Sequence, residues 1–363
     1  MDRHDERHAA RDGGEPLKEH RGVEQFETGI TARGLFESEG ISVSGSSRRS
    51  IVPNARSIHD VIPAVTFCAI MTDDPEAILN YAAERFEKDG KTALVTLVDI
   101  RGGSARALGA QMAVGIDGGY CGYVSGDCTE AAVAAEAIDA IAKGTDRFLL
   151  LGEGPAFFDV QLPCGGGITL AIHVLKDAGP LRHVLARLRS RQMGALCYNA
   201  VKQTITAAED ADNSASYIRR YRPRPRLVMF GRGIELDCTT TVARHSGFET
   251  FAFDGQSGQV FDETLIDADT AIALLFHDLD QELPFLKIAL HHNPFYIGAL
   301  GSKRTHERRR EALRKFGHAD HDIDRISAPI GVFGPVRDGN LLAQSILADI
   351  GAARAIMKFD GDV

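Results

Sequence analysis

Leu227-Val228-Met229-Phe230-Gly231-Arg232-Gly233-Ile234-Glu235-Leu236 is the stretch on which the fold turns. Four apolar residues in a row predict a buried strand, the two glycines a tight turn, and residues 236–245 a helix. A second strand over 248–253 ends at Asp254 and completes a β-α-β unit of nucleotide-binding type. Downstream, residues 271–276, 295–299 and a short piece near 330–333 read as strands, and 283–291, 303–316 and 340–353 as helices. Repeated β-α order with short connections implies a Rossmann-like doubly wound parallel sheet over 227–357, with helices on both faces.

Upstream, residues 209–226 are polar and finish around Pro223 and Pro225, which oppose continued helix, so they read as a linker. Before them, 58–208 has a mixed α+β pattern. Helical period covers 75–87, 129–143 and 181–191, and strands fit 92–100, 147–151, 157–162, 168–173 and part of 195–205. Residues 110–115 and 120–125 read as a hairpin around Asp117-Gly118-Gly119. Residues 1–57 mix charge, glycine and serine without apolar period, and are expected to be a disordered tail. The tail histidines His4, His8 and His20 lack partners at ligand spacing and receive no role.

The composition fits this two-domain reading. The chain has 363 residues, 44% hydrophobic and 25% charged, with no apolar run of the roughly 18 residues a membrane span needs. A formal net charge of −9 argues against a general nucleic-acid binder. Six cysteines with no C-x-x-C pair fit neither a disulfide-stapled domain nor a zinc ribbon. The first residues hold no apolar segment to act as a signal peptide, so a cytoplasmic protein with reduced thiols is expected.

Several loops carry residue types that hold ligands. In the Gly231-x-Gly233 turn the third glycine of a dinucleotide fingerprint is replaced by Leu236. Asp254 stands about 21 positions after Gly233, where an acidic residue meets a ribose. Leu236 crowds the helix against the strand and Glu235 puts negative charge near a phosphate, so dinucleotide binding and an altered or empty site both stay open. Gly301-Ser302-Lys303, between a strand and a helix, is a second anion candidate. Residues 302–315 hold seven lysines and arginines against two glutamates; Arg309, Arg310 and Arg314 read as a solvated helix face.

In the first domain, Arg101-Gly102-Gly103-Ser104-Ala105-Arg106-Ala107-Leu108-Gly109 is a polar glycine loop directly after a buried strand, and Arg106 suits a phosphate or a planar heterocycle. Ser125-Gly126-Asp127-Cys128-Thr129-Glu130 puts a thiol at the expected start of a helix, where the dipole favours the thiolate. Pro163-Cys164-Gly165-Gly166-Gly167 puts another before glycine amides able to form an anion nest. A lone cysteine is more often a small buried hydrophobe, and that reading is kept for Cys68, Cys121, Cys197 and Cys238. No Ser-His-Asp order, H-E-x-x-H or full P-loop is present.

These motifs in this order resemble the XdhC/CoxI family, the accessory factors of xanthine dehydrogenase and related molybdenum hydroxylases. The resemblance rests on Val95-Thr96, residues 102–112, 125–130 and 163–166 in the first domain. In the second it rests on 223–233, Tyr296-Ile297-Gly298-Ala299-Leu300-Gly301-Ser302, Pro329-Ile330-Gly331 and 343–350. It implies a chaperone more than a turnover enzyme. Such a protein binds and protects molybdenum cofactor (molybdopterin, in simple or nucleotide form) and helps a cysteine desulfurase exchange an oxo ligand for sulfur. It then delivers the cofactor to an apo-hydroxylase, acting as a homodimer. On this resemblance Cys164 is a soft metal ligand or sulfur acceptor with Cys128 as its partner. Gly103, Ser104, Arg106, Gly109, Gly165 and Gly166 then cradle pterin and phosphate.

The chain departs from the family at Gly103, Ala105 and Asp127, and at Gly231-Arg232-Gly233-Ile234-Glu235 where a Gly-Ala-Gly-His turn is usual. Asp127 beside Cys128 opposes thiolate formation, which ranks Cys164 first. One alternative is an NAD(P)-dependent oxidoreductase using Gly231, Gly233 and Asp254, with His245, His277, His291 or His292 as proton donor and His277-Asp278 best placed. Another is a docking protein whose sites have decayed.

Overall fold

The computed structural model describes residues 68–126, 129–152, 166–207, 216–255 and 261–357. The tail, Asp127, Cys128, the strand expected at 157–162, Cys164 and Gly165 lie outside the described residues.

The first half is built on a six-stranded sheet of order β1-β4-β3-β2-β6-β5. Its strands are β1 (Ala69–Ile70), β2 (Thr92–Arg101), β3 (Gln111–Gly115), β4 (Tyr120–Gly122), β5 (Arg147–Leu151) and β6 (Gly167–Val174). Only β1 and β4 run parallel. The central strand β2 is apolar on both sides because both its faces are covered. Helix α2 (Glu130–Lys143) lays Val133, Ala134, Ala137, Ala140 and Ile141 over Val95, Leu97, Leu170 and Ile172. On the other face α1 (Pro75–Asp89) and α3 (Gly179–Arg189) cover Leu94 and Ala113. Each fully buried Leu, Ile or Val there contributes about 1.5–3 kcal/mol. Helix α1 starts where the sequence says it should. Pro75 occupies its first turn, the Asp74 carboxylate accepts from the Glu76 amide at 3.0 Å, and Gly90 closes it at φ +67°.

A three-stranded antiparallel sheet of order β8-β7-β9 comes next: β7 (Gly194–Asn199), β8 (Thr204–Ala207) and β9 (Tyr217–Tyr221). Strand β9 lies inside the stretch expected to be a linker. Its period of two is carried by Tyr217, Arg219 and Tyr221, residues whose polar tips hide a strand signal. The Tyr221 hydroxyl is buried and donates to Gln111 Oε1 at 2.7 Å.

The second half is a five-stranded parallel sheet of order β11-β10-β12-β13-β14. It comprises β10 (Arg226–Gly231), β11 (Glu249–Phe253), β12 (Thr270–Leu275), β13 (Tyr296–Ala299) and β14 (Ile326–Ser327). Helices α4 (Ile234–His245) and α8 (Gly339–Ala355) pack on one face. Helices α5 (Leu279–His291) and α6 (Lys303–Lys315) lie on the other, with the short α7 (Asp320–Ile323) after them. The fold class expected from the sequence is the one observed. The final strand sits earlier than expected because the 330–333 segment bonds to α8 instead of extending the sheet. The Gly331 amide donates to Asp349 Oδ2 at 3.1 Å and the Phe333 amide to Ser345 Oγ at 3.0 Å. No helix among the described residues is long and apolar enough to cross a membrane.

Residues 64–363 form one compact unit, and ion pairs tie its two halves together. Arg191, between α3 and β7, grips Asp267 at 2.8 and 3.0 Å. Arg354 of α8 pairs with Asp269 and donates to the Pro223 carbonyl at 3.0 Å.

The structure also corrects the reading of Arg309 as solvated. It is fully buried, donates to Glu282 through Nε at 2.5 Å and Nη2 at 3.0 Å, and reaches the Leu300 carbonyl at 2.8 Å. Arg310 pairs with Asp320 and Asp324, and Arg314 with Asp320, so the helix face is laced rather than free. Removing one partner of a buried pair strands the other charge, at a cost of about 3–5 kcal/mol. Urea denaturation of Arg309→Ala should show a loss of that size, and the double replacement Arg309→Leu/Glu282→Leu should recover most of it. Equal losses in both proteins would mean that packing volume, not the stranded carboxylate, sets the cost.

Candidate functional site

Strand β2 bulges between Leu97 and Asp99, then resumes its pairing with β6 until Arg101 meets Gly167. A bulge bends a strand and re-aims the residues beyond it. Here it leads into the 102–109 loop, which returns when the Gly109 amide donates to the Leu97 carbonyl at 2.8 Å. The same end of the sheet receives Gly152 after β5 and Gly166 before β6.

These loops touch backbone to backbone. A Cβ on Gly166 would strike the Gly103 carbonyl oxygen and lie 2.7 Å from the Gly103 nitrogen and 2.8 Å from the Arg101 carbonyl oxygen. A Cβ on Gly102, at φ +81°, would be 3.5 Å from Gly166 Cα, and one on Gly152 would be 3.1 Å from Gly167 Cα. The Ser125-Gly126 turn comes to the same place, with the Gly126 Cβ position 3.1 Å from Ala105 Cβ. Three motifs far apart in sequence thus converge at one end of one sheet. Cys128 and Cys164 are each two positions from a glycine of this junction and lie outside the described residues.

Glu130 fixes the Ser125-Gly126 turn. Its carboxylate is buried and accepts from the Val124 amide at 3.0 Å, the Ser125 amide at 2.8 Å, the Ser125 hydroxyl at 2.9 Å and the Thr129 amide at 3.2 Å. Burial works to raise its pKa, but the bonds from Ser125 and Val124 outweigh it and hold the carboxyl below its ordinary value. Arg106 lies over the Tyr123 ring at 4.1 Å, donates to its hydroxyl at 2.9 Å and has the exposed Asp73 carboxylate 3.8 Å away; its Nε is buried with no hydrogen-bond partner. The Ser104 hydroxyl shapes the loop: it donates to the Arg106 carbonyl at 2.8 Å and accepts from the Arg106 amide.

The second group of candidates stands at the carboxyl ends of the parallel strands. Gly233 caps α4 at φ +71°, the tight turn the sequence implied. Gly231, however, gives close passage to Leu275 of β12: a Cβ there would lie 2.7 Å from Leu275 Cβ. Leu236 is buried in the core between α4, α8 and the sheet, filling the room a third glycine would leave. Glu235 reaches His277, Oε1 to Nε2 3.2 Å, across the crevice between β10 and β12. Asp254 offers its carbonyl to Arg232 Nε at 2.9 Å. Asp278, beside His277, caps α5 by accepting from the Asp280 amide at 3.0 Å. Ser302 caps α6, its hydroxyl accepting from the Thr305 amide at 3.2 Å, with Gly301 before it at φ +127° and Lys303 exposed.

The remaining cysteines divide. Burial, with Asp74 adding to it, pushes the Cys121 thiol up to about 11, and burial also raises Cys197. Cys68 is exposed, against its expected burial, because β1 is a two-residue edge strand. Among the described residues no group of three or more His, Cys, Asp and Glu is placed to hold a metal ion.

Comparison with known proteins decides the family. The chain matches the XdhC and CoxI family over residues 86–152 and the XdhC Rossmann domain over 227–350. It is 43% identical over 296 residues to the molybdenum cofactor insertion chaperone PaoD of Escherichia coli (strain K12), covering 80% of this chain and 92% of that protein. The chain belongs to the XdhC and CoxI family. Its fold is shared with the crystal structure of a xanthine dehydrogenase from Bacillus halodurans, with a TM-score of 0.62 at 19% identity, covering 79% of this chain and 98% of that one. Of the residues marked in the sequence, Gly103, Arg106 and Gly166 lie in or beside this junction of the XdhC chain; Glu130, Tyr123 and Gly152 lie there too and were not among them. Glu130 stands in the 125–130 motif and escapes notice because its work is done on backbone amides.

Gly166→Ala forces its new methyl against the backbone of Gly103 and should cost about 1–3 kcal/mol in denaturant titrations, whereas Gly144→Ala, which meets open space at a positive-φ helix end, should cost less. For Glu130, a folded-state pKa below the ordinary value means that its stabilisation is present above that value and lost as pH falls through the folded one. Glu130→Gln should therefore lower stability at pH 7 and flatten its decline in acid. An unchanged acid profile would show that Glu130 does not titrate with folding.

Proposed function

We propose that this chain is a maturation factor that carries molybdenum cofactor as cargo and inserts it into a molybdenum hydroxylase of the xanthine dehydrogenase type. The observation that carries the reading is the convergence of the 102–109 loop, the Ser125-Gly126 turn and Gly166 at one end of the six-stranded sheet. It occurs in a chain 43% identical to a molybdenum cofactor insertion chaperone. Glycines that allow close backbone approach leave peptide groups accessible to a flat pterin, and Arg106 adds a cation with a buried donor still unused.

In this reading Cys164 is the soft ligand or sulfur acceptor and Cys128 its partner, with Gly103, Ser104, Gly109 and Gly165 completing the cradle. A thiolate suits a metal already bound by dithiolene sulfur. Sulfur comes from a cysteine desulfurase, and the working unit is a cytoplasmic homodimer of an XdhC-type domain (58–208) and a Rossmann-like domain (227–357). The protein acts as a cofactor-maturation chaperone more than as a turnover enzyme. The NAD(P)-dependent alternative through Gly231, Gly233 and Asp254 is disfavoured by the Glu235 carboxylate, which stands in the first turn of α4 where a pyrophosphate would bind. Gly301, Ser302 and Lys303 then serve as a second anion site for the cofactor, not for a nicotinamide.

Anaerobic purification from a cofactor-producing host tests this, with molybdenum counted by elemental analysis and pterin by fluorescence after oxidation. The wild type should carry both near stoichiometry, and Cys164→Ala should lose the metal. Neither metal nor pterin in the wild type, even after incubation with a cofactor source, would overturn the carrier reading.

A further inference from the structure

Arg219, in the middle of β9, packs against the glycine loop from a different sheet. An ideal Cβ on Gly109, itself at φ +81°, would lie 2.8 Å from Arg219 Cδ, 3.0 Å from Nε and 3.1 Å from Nη1. The arginine rests flat on the loop because residue 109 has no side chain. Its guanidinium also lies 5.3 Å from the Tyr221 ring centroid, and its Nε is buried with no hydrogen-bond partner. Among the described residues Arg219 forms no ion pair. Burial raises both neighbouring phenols, Tyr217 and Tyr221, which stay neutral and supply no counter-charge.

A second guanidinium with an unused buried donor, Arg106, is three residues from Gly109 on the same loop, and its one carboxylate neighbour among the described residues, Asp73, is exposed and 3.8 Å away. Elsewhere the buried Arg309 and the half-buried Arg191 are matched closely, by Glu282 and Asp267. An unpaired buried donor costs about 1–3 kcal/mol, more when charged, so two such donors beside one glycine loop mark a place that an anion completes. A carboxylate offers two oxygens, whereas a phosphate ester has enough terminal oxygens to accept from guanidinium groups on two elements and from loop amides at once.

We propose that Arg219 and Arg106 form a two-arginine clamp over the 102–109 loop for a phosphate group of the cargo, with Arg219 the residue that positions it. This rests on the carrier reading for the identity of the cargo, and the anion site itself stands apart from it. The phosphate is either a terminal ester on the pterin or the bridging pyrophosphate of a nucleotide form.

Titration calorimetry of the full chain with inorganic phosphate and with pyrophosphate, using wild type, Arg219→Gln, Arg219→Lys and Arg106→Gln, tests the clamp. Thermal melts control for folding, and cofactor retention is measured in the same proteins. The wild type should bind at least one of the two anions, with affinity falling about tenfold or more in Arg219→Gln and Arg106→Gln. Arg219→Lys, which keeps the charge without the planar fork, should fall in between and provides the test if Arg219→Gln does not fold. Tighter binding of pyrophosphate identifies the dinucleotide bridge, and tighter binding of phosphate the terminal ester; either supports the clamp. Unchanged affinity in folded Arg219 variants, or no binding of either anion by the wild type, overturns it. Cofactor retained equally by wild type and Arg219→Gln removes Arg219 while leaving the carrier reading intact. Arg219-dependent anion binding in a protein that never retains cofactor keeps the clamp and removes the carrier reading.

Discussion

The candidate site depends on one steric constraint: the backbone of Gly166 must lie directly on that of Arg101 and Gly103. The antiparallel pairing of β2 and β6 runs to Arg101 and Gly167, so the two chains leave the sheet side by side and no side chain fits between their loops. Gly152 brings the end of β5 into the same contact. Close packing of this kind holds a loop in one shape without using its polar groups. The contact fixes where the 102–109 loop leaves the sheet, and the Ser104 hydroxyl on Arg106 and the Gly109 amide on Leu97 fold the rest of it back.

Charge is distributed with the same logic. Where a charged group serves the scaffold, the fold surrounds it with partners. Glu130 has four donors, Arg309 is bound by Glu282 and the Leu300 carbonyl, and Asp146 is held by His173, Tyr198 and the Val174 amide. Burial alone would raise the Asp146 pKa, and the bonds from His173 and Val174 reverse it. Arg106 and Arg219 break that pattern at the glycine loop. Asp269 stands 3.4 Å from the Arg222 guanidinium and balances its charge, whereas among the described residues Arg219 pairs with no carboxylate.

The regular elements were legible from the sequence because their signals are strong. The apolar run of β2, the alanine-rich period of α2 and the strand-glycine-helix order at β10 each admit one reading. Strand β9 was not legible, since Tyr217, Arg219 and Tyr221 look polar by type and reveal their alternation only when Tyr221 is seen bonded to Gln111. Arg309 misled for the converse reason. A basic helix face is ordinarily solvated, and nothing local announces that Glu282, 27 residues earlier on α5, waits for it. Within the site, the glycines were readable and their contacts were not, because the contacts of Gly166 with Gly103, of Gly152 with Gly166 and of Gly126 with Ala105 are a property of the sheet order.

The Rossmann-like half shows how a fold outlives one of its usual contacts. The third glycine of the fingerprint normally lets helix and strand approach; here Leu236 is accepted because α8 packs against α4 and the leucine becomes core. The first glycine is kept, but the group passing close to it is Leu275 of the neighbouring strand. Glu235 then spans the crevice to His277, so a carboxylate occupies the region where the dipole of α4 would draw a phosphate. Asp267 and Asp269, at the other end of this sheet beside the start of β12, hold Arg191 from the first half and Arg354 from α8. The parallel sheet is thus anchored to the first half at its amino edge. In that arrangement the sheet supports the first half, while the loop junction of the six-stranded sheet keeps the unused guanidinium donors that a phosphate-bearing ligand requires.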